Sequence, residues 1–290
     1  MHGRTPGRKR LATVRAMLRL RSLALVIALG ASHAVAIEPG SLRFVREGNS
    51  IDVPKDELAR ACGPTVVQVD DPYYAGPKRF RACALEDVLA RGFGAADAVA
   101  GGDVLLRAAD GYTRAVSGDQ LLLGGAFLAF SDADRAEGFA PIDRRQVDPA
   151  PFYLVWRGVG RNDTSAWPWP YQLAAIEIVP FERRFPHTVP EGASPGSLPR
   201  RGYALFRDEC SACHAINGEG GKVGPDLNVP RNITTYRPAA QLRAFIRRPQ
   251  SFRYTSMPSH EHLSADDLDA LLAYLRYMAT RQYDPGGPDH

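Results

Sequence analysis

The chain has 290 residues, 44% hydrophobic and 23% charged, the profile of an ordinary globular protein long enough for two domains with separate cores. Its formal charge is +4, but seven arginines and lysines and no acid fall within the first 21 positions, and without those seven the charge is −3. A basic excess confined to the N-terminus gives no support to nucleic-acid binding, so that class is set aside.

In chain order, the basic stretch is followed by an apolar run, LALVIALGAS, and by AVA at 34–36. Basic, apolar, then A-x-A is the layout of a secretory signal peptide, here residues 1–36, cut after Ala36. The run is shorter than the roughly 20 residues needed to span a bilayer, so removal is expected, with no membrane span left behind. Export to the periplasm would place all four cysteines in a compartment that permits disulfides.

Residues 37–184 read as a mixed α+β domain, with strand-like runs at 65–69, 103–108, 126–130, 152–156 and 171–179. A turn is expected at Asp110–Tyr112 between two of them. The segment 84–92 places Leu85, Val88 and Leu89 on one helical face and ends on Gly92, a suitable C-terminal cap. Residues 185–200, rich in Pro and Gly, read as a semi-extended linker. The last domain, 201–282, lacks strand signals; helices are expected at 202–209, 239–248 and 264–280. Ser264 and Asp267 resemble a capping box at the start of the third.

The sequence CSACH at 210–214 carries most of the functional information. Cys-x-x-Cys-His is the attachment signature of c-type haem. Two thiols one helical turn apart can add to the two vinyl groups of one porphyrin, and the next residue, His214, then lies under the iron as a ligand. A zinc site would need a second Cys or His pair at ligand spacing, whereas Cys62 and Cys83 lie far upstream. A thioredoxin-like dithiol would need a preceding strand, and the flanks here are helical. One covalent haem c is therefore expected.

Residues 201–280 resemble a class I cytochrome c domain through GYALF before the motif, GPDL after it, SMP further on and LLAYL in the last helix. The resemblance implies an all-α fold, thioether bonds at Cys210 and Cys213, and iron ligation by His214. It also implies that Pro225 packs on the His214 ring and accepts its Nδ1 proton, and that Met257 supplies the distal sulfur. Gly202 and Phe206 would pack against Leu271 and Tyr274. His260 and His262 are rivals for the distal position and are expected to be solvated. A His/Met pair raises the reduction potential relative to bis-His ligation and leaves no open position for a substrate. The group Arg243, Arg247, Arg248 and Arg253 reads as a solvated helix face, as neutralisation of haem propionates, or as a docking rim for an acidic redox partner.

Residues 37–184 contain no Gly-rich phosphate loop, metal-spaced His/Cys cluster or nucleophile elbow. The order KRFRACALEDVLARGF, LLRAADGY, APFYLVW and YQLAAIEIV is similar to that of the sulfite-oxidase-type molybdopterin-binding domain. That likeness implies an α+β fold and, in the family's enzymes, one cysteine ligating molybdenum. This segment is shorter than those enzymes and the groups that hold the cofactor cannot be placed on it, so a trimmed, cofactor-free relative is expected. Cys62 and Cys83 are expected to form a disulfide, because the strand and turns between them can fold back; closing a loop of about 20 residues contributes roughly 3 kcal/mol. The resulting reading is a periplasmic electron-transfer protein rather than a stand-alone catalyst. Its N-terminal domain would recognise a redox partner, a periplasmic dehydrogenase or another cytochrome. The alternative is a molybdenum-dependent dehydrogenase with the haem as built-in electron acceptor, and it requires a free thiolate in the N-terminal domain.

Overall fold

The computed structural model describes residues 40–284, and the signal-peptide reading of residues 1–36 lies outside them. The first half of the chain alternates strands and short helices. β1 (Ser41–Arg46) and β2 (Asn49–Pro54) form a hairpin, then come α1 (Lys55–Cys62), β3 (Thr65–Asp71), β4 (Gly76–Ala84) and α2 (Leu85–Phe93). β5 (Asp103–Ala108), β6 (Thr113–Ser117), α3 (Gly118–Leu121), β7 (Ala126–Asp132), β8 (Tyr153–Trp156) and β9 (Leu173–Ile178) complete this β-rich part. The remainder is mainly helical: α4 (Phe181–Arg184), α5 (Leu198–Leu205), α6 (Ala239–Arg247) and α7 (Ala265–Met278). The strand-free reading of this part misses one small feature, a ladder of two-residue strands, β10 (Ala215–Ile216) and β11 (Glu219–Gly220).

The strands form a five-stranded sheet in the order β2-β1-β9-β5-β6 and a four-stranded sheet in the order β3-β4-β7-β8. β1 runs parallel to β9, and the other pairings are antiparallel. The first core joins Phe44, Val104, Leu106 and Ile176 of one sheet to Val67, Phe80, Leu128 and Tyr153 of the other, with Leu85, Val88 and Leu89 of α2. Along β5 the run Val104–Leu105–Leu106 is fully buried, as expected for a strand covered on both faces. Its odd member, Leu105, points away from the first core and into a second one, with Phe181, Phe185, Phe206, Leu271, Tyr274 and Leu275. Burying such a leucine contributes about 1.5–3 kcal/mol, so the helical part is anchored on the back of the five-stranded sheet.

Two local expectations change. α2 passes through Gly92 and ends at Phe93, and the left-handed cap is Gly94, φ +85°. Gly92 is small for another reason: a Cβ there would lie 2.1 Å from the Phe44 ring. The segment 185–200 is also no free tether. Phe185 is in the second core, the Thr188 carbonyl accepts a hydrogen bond from Tyr274 Oη (2.6 Å), and the Glu191 carbonyl accepts one from Tyr277 Oη (2.7 Å). The segment is thereby strapped along α7, and α5 already begins at Leu198.

Candidate functional site

α5 and α7 cross at Gly202, where a Cβ would stand 2.0 Å from the Ala270 carbonyl and 2.7 Å from Tyr274 Cβ. Only hydrogen fits there. One turn later Phe206 packs on Tyr274 with ring centroids 5.5 Å apart. α7 is held in register by the reciprocal capping box of Ser264 and Asp267 that the sequence suggests. α5 then continues into a π-helical turn, Phe206–Cys210, a feature that recurs at functional sites.

That turn presents the motif. The Cys210 carbonyl accepts from the backbone N–H of both Cys213 (3.1 Å) and His214 (2.9 Å), so the two thiols stand one turn apart and the imidazole follows them. Both cysteines are free. Burial, and then the neighbouring Glu209, push the Cys210 thiol up to about 12; burial, and then Asp110, push Cys213 up to about 11. Both sulfurs are therefore uncharged thiols at neutral pH.

His214 Nδ1 lies 2.8 Å from the Pro225 carbonyl. Burial lowers the pKa of the ring, against the smaller opposing effect of that bond, so the neutral tautomer with Nδ1–H donating is favoured and the Nε2 lone pair is left for a ligand role. Gly224 makes the approach possible, since a Cβ there would be 2.5 Å from His214 Cε1. Its N–H donates to the Cys213 carbonyl (2.7 Å), tying the Pro225 loop to the motif. Pro225 itself is exposed.

A network that sequence patterning does not reveal locks this loop to the last helix. Asn228 Nδ2 donates to the Met278 carbonyl (2.9 Å) and to Asn217 Oδ1 (2.7 Å), and Asn232 Nδ2 donates to the Leu275 carbonyl (2.8 Å) and to Asn228 Oδ1 (2.6 Å). The Leu275 and Met278 carbonyls at the end of α7 also accept from the Ala279 (3.2 Å) and Arg281 (2.8 Å) N–H groups, so the asparagines supply second bonds that fix the loop to the helix. They fall outside the apolar-patterned segments and their polarity reads as loop, so nothing in the sequence singles them out.

Met257 occupies the loop between α6 and α7 with a half-buried side chain. Its carbonyl accepts from Gln250 Nε2 (2.7 Å) and its N–H donates to Thr255 Oγ1 (3.1 Å). His262 is exposed, as expected, with Nε2 3.3 Å from Glu209 Oε2. His260 is not solvated. It is 5% exposed, its Nδ1 is buried without a partner, and its Nε2 lies 3.9 Å from the same Glu209 oxygen. A hydrogen bond from its N–H to the Ile246 carbonyl (3.2 Å) draws it under α6.

Much of the arginine group is engaged internally. Arg243 pairs with Asp269, Arg248 with Glu261 (3.0 Å), Arg247 donates to the Leu263 carbonyl (3.0 Å), and Arg253 covers the Phe245 ring at 5.4 Å. In the β-rich part, Cys62 and Cys83 are joined as a disulfide with α-carbons 5.9 Å apart, tying the end of α1 to β4. A bonded Cys62 cannot serve as the thiolate ligand that the molybdenum alternative needs.

The donor set suits a covalently attached porphyrin. Two uncharged thiols are placed for vinyl addition, and a neutral imidazole is oriented by a backbone carbonyl. No group of three or more His, Cys, Asp or Glu among the described residues is arranged to hold a bare metal ion. Comparison with known proteins agrees. The family model described as Cytochrome c matches residues 199–279. Cytochrome c oxidase subunit 2 of Alkalihalophilus pseudofirmus is 34% identical over 89 residues, which cover 28% of this chain and 26% of that protein. The chain thus spans about a quarter of that relative's length. Residues 199–279 of this chain thus match the Cytochrome c family model, which supports electron transfer through a haem.

Proposed function

We propose that this protein is a periplasmic c-type cytochrome that passes single electrons through one haem, bonded to Cys210 and Cys213 and axially ligated by His214 and Met257. The observation that carries the reading is the His214 cradle: Nδ1 held by the Pro225 carbonyl at 2.8 Å, with Gly224 giving the ring its room. When bound, the haem supplies a one-electron iron couple. The residues of the chain orient the imidazole and hold the thiols in the neutral form until the thioether bonds are made.

The β-rich part, 37–184 in this reading, acts in recognition of a redox partner, a dehydrogenase or another cytochrome, as a cofactor-free relative of the sulfite-oxidase-type domain. The Cys62–Cys83 bond supports this over a molybdenum-dependent dehydrogenase. Among the described residues no helix is long and apolar enough to cross a membrane.

One observation favours a second axial assignment. His260 is buried with an unpartnered Nδ1, and it is near enough to His214 to oppose its protonation. Bis-His ligation would give a lower potential than His/Met. The two are separated by the near-infrared charge-transfer band of methionine–ferric iron in the full chain. We expect the band in native protein and in His260→Ala, and its loss in Met257→Ala. A native protein without the band, whose low-spin state disappears in His260→Ala, would replace Met257 by His260.

A further inference from the structure

The hairpin of β5 and β6 ends against the CSACH motif and grips it on both sides of Cys210. The Thr113 N–H donates to the carbonyl of Ala212 (2.9 Å), which follows Cys210 in the motif. The side chain of the next residue, Arg114, donates from Nη1 to the carbonyl of Asp208, which precedes it. At the tip of the hairpin the Gly111 carbonyl accepts from the Lys222 N–H (2.9 Å). Both Thr113 and Ala212 are buried. Ser211 Oγ donates to the Arg207 carbonyl (2.6 Å), so the π-helical turn before the thiols is held by one side chain of its own and by one from the β-rich part.

Arg114 holds more than this one bond. Its Nη2 donates to the carbonyl of Ser165 (2.9 Å), in the loop between β8 and β9. Its Nε is buried without a hydrogen-bond partner. Among the described residues no carboxylate pairs with it, so its positive charge is met by the dipoles of two carbonyls. A guanidinium drawn out of water is ordinarily paired with an anion, because its desolvation is costly. Binding two carbonyls requires only donors; the charge is additional, and the bond to Asp208 fixes it at the turn that carries the cysteines. The thiols register it. Burial, then Glu209 at Cys210 and Asp110 at Cys213, pushes the two thiols up, and Arg114 opposes the rise at both.

We infer that Arg114 is the residue through which the β-rich part sets the haem potential: seated on the Asp208 and Ser165 carbonyls, it fixes a positive charge at the attachment turn that favours the ferrous state. The inference rests on the proposed haem attachment. Ferric haem carries one more positive charge than ferrous haem, so a neighbouring cation makes oxidation harder and raises the potential. A half-buried charge is screened by salt less than an exposed one, so the effect persists at ordinary ionic strength. Arg114 acts here as a positioning residue for the surroundings of the group, with no role in binding the iron.

The test uses the full haem-bearing chain and two variants. Arg114→Gln keeps a donor and loses the charge, while Arg114→Lys keeps the charge. The measured quantity is the ferric/ferrous equilibrium against a redox indicator, in proteins whose low-spin spectrum and haem stain match the native chain. Arg114→Gln should move that equilibrium about tenfold toward ferric, about 59 mV for one electron. Arg114→Lys should stay within about threefold of native. A merely structural role would move both variants alike. An Arg114→Gln protein within about twofold of native, or an Arg114→Lys protein shifted as far as Arg114→Gln, overturns the inference.

Should Arg114→Gln fail to keep its haem, the exposed Ser165 decides, because its carbonyl rests on the same guanidinium. At low salt Ser165→Asp should move the equilibrium toward ferric and Ser165→Lys toward ferrous, each by about twofold. No separation between the two overturns the inference. A native chain with no covalent haem overturns the haem reading instead, and is seen before any potential is measured.

Discussion

Replacing Gly224 by alanine puts a methyl group where the His214 imidazole lies. Gly224 is outside the left-handed backbone region, so alanine is tolerated by the main chain and the steric contact is the whole perturbation. The new Cβ would sit 2.5 Å from Cε1, 2.7 Å from Nδ1 and 3.0 Å from Nε2. Carbon–carbon contacts are comfortable from about 3.5 Å, so ring or loop must retreat by about 1 Å. If the ring moves, the 2.8 Å bond from Nδ1 to the Pro225 carbonyl stretches to a distance at which it no longer counts as one. Loss of such an outer-shell partner weakens ligation by about 10- to 100-fold, or roughly 1.4–2.7 kcal/mol. The assay is a urea titration of the haem-bearing variant, following the low-spin absorbance and the far-UV signal together. We expect the low-spin state to be lost at lower urea than in native protein, ahead of the helical signal. A variant whose two transitions coincide with native would refute the reasoning, since the cradle would then contribute nothing to ligation.

Three further outcomes follow from the β-rich part. Cys62→Ser with Cys83→Ser should lower stability by roughly 3 kcal/mol in chemical denaturation, and non-reducing peptide mapping of native protein should find the linked pair. Gly92→Ala should cost about 1–3 kcal/mol because its methyl meets the buried Phe44 ring. Gly94→Ala, with nothing within 4 Å, should cost only the left-handed backbone, about 1–2 kcal/mol; a loss at Gly94 well above about 2 kcal/mol, or none at Gly92, would contradict the assignment of packing to one and capping to the other. Asp71 is buried, and burial raises its carboxyl above the ordinary range despite bonds from the Tyr73 and Tyr74 N–H groups and Tyr153 Oη. On acidification the folded chain takes up this proton before the unfolded one does, so the Asp71 contribution to stability grows as pH falls from the raised value to the ordinary one. Asp71→Asn should remove that component; unchanged pH dependence of unfolding between the two proteins would show that the carboxyl is not perturbed.

What the sequence discloses here depends on how local the cause is. The motif at 210–214 needs only its own spacing, and the capping box at Ser264 needs four residues, so both are legible without tertiary information. The strands at 103–108 and 65–69 are apolar or alternating enough to read directly. β4 is less transparent because its outward positions are Arg79 and Arg81, its inward face carries Lys78 paired with the buried Asp132, and the run leads without a break into α2. β1 and β2 escape notice because one face of their hairpin is polar and β2 buries only Val53. The Pro-rich segment after 185 looks like a tether since its anchoring is through carbonyls, which no residue type advertises. His260 shows the same limit. Flanked by serine, glutamate and a second histidine it reads as solvated, and only the packing of α6 over it makes it buried.

The central claim is that Cys210 and Cys213 hold a haem covalently. The most direct measurement is haem-dependent peroxidase staining of the full chain after denaturing electrophoresis, with Cys213→Ser run beside it. We predict a stained band for the native chain at the position of the polypeptide, and a weak or absent one for Cys213→Ser at equal protein load. A native band that does not stain, with haem that extracts freely into acidified organic solvent, would contradict the account.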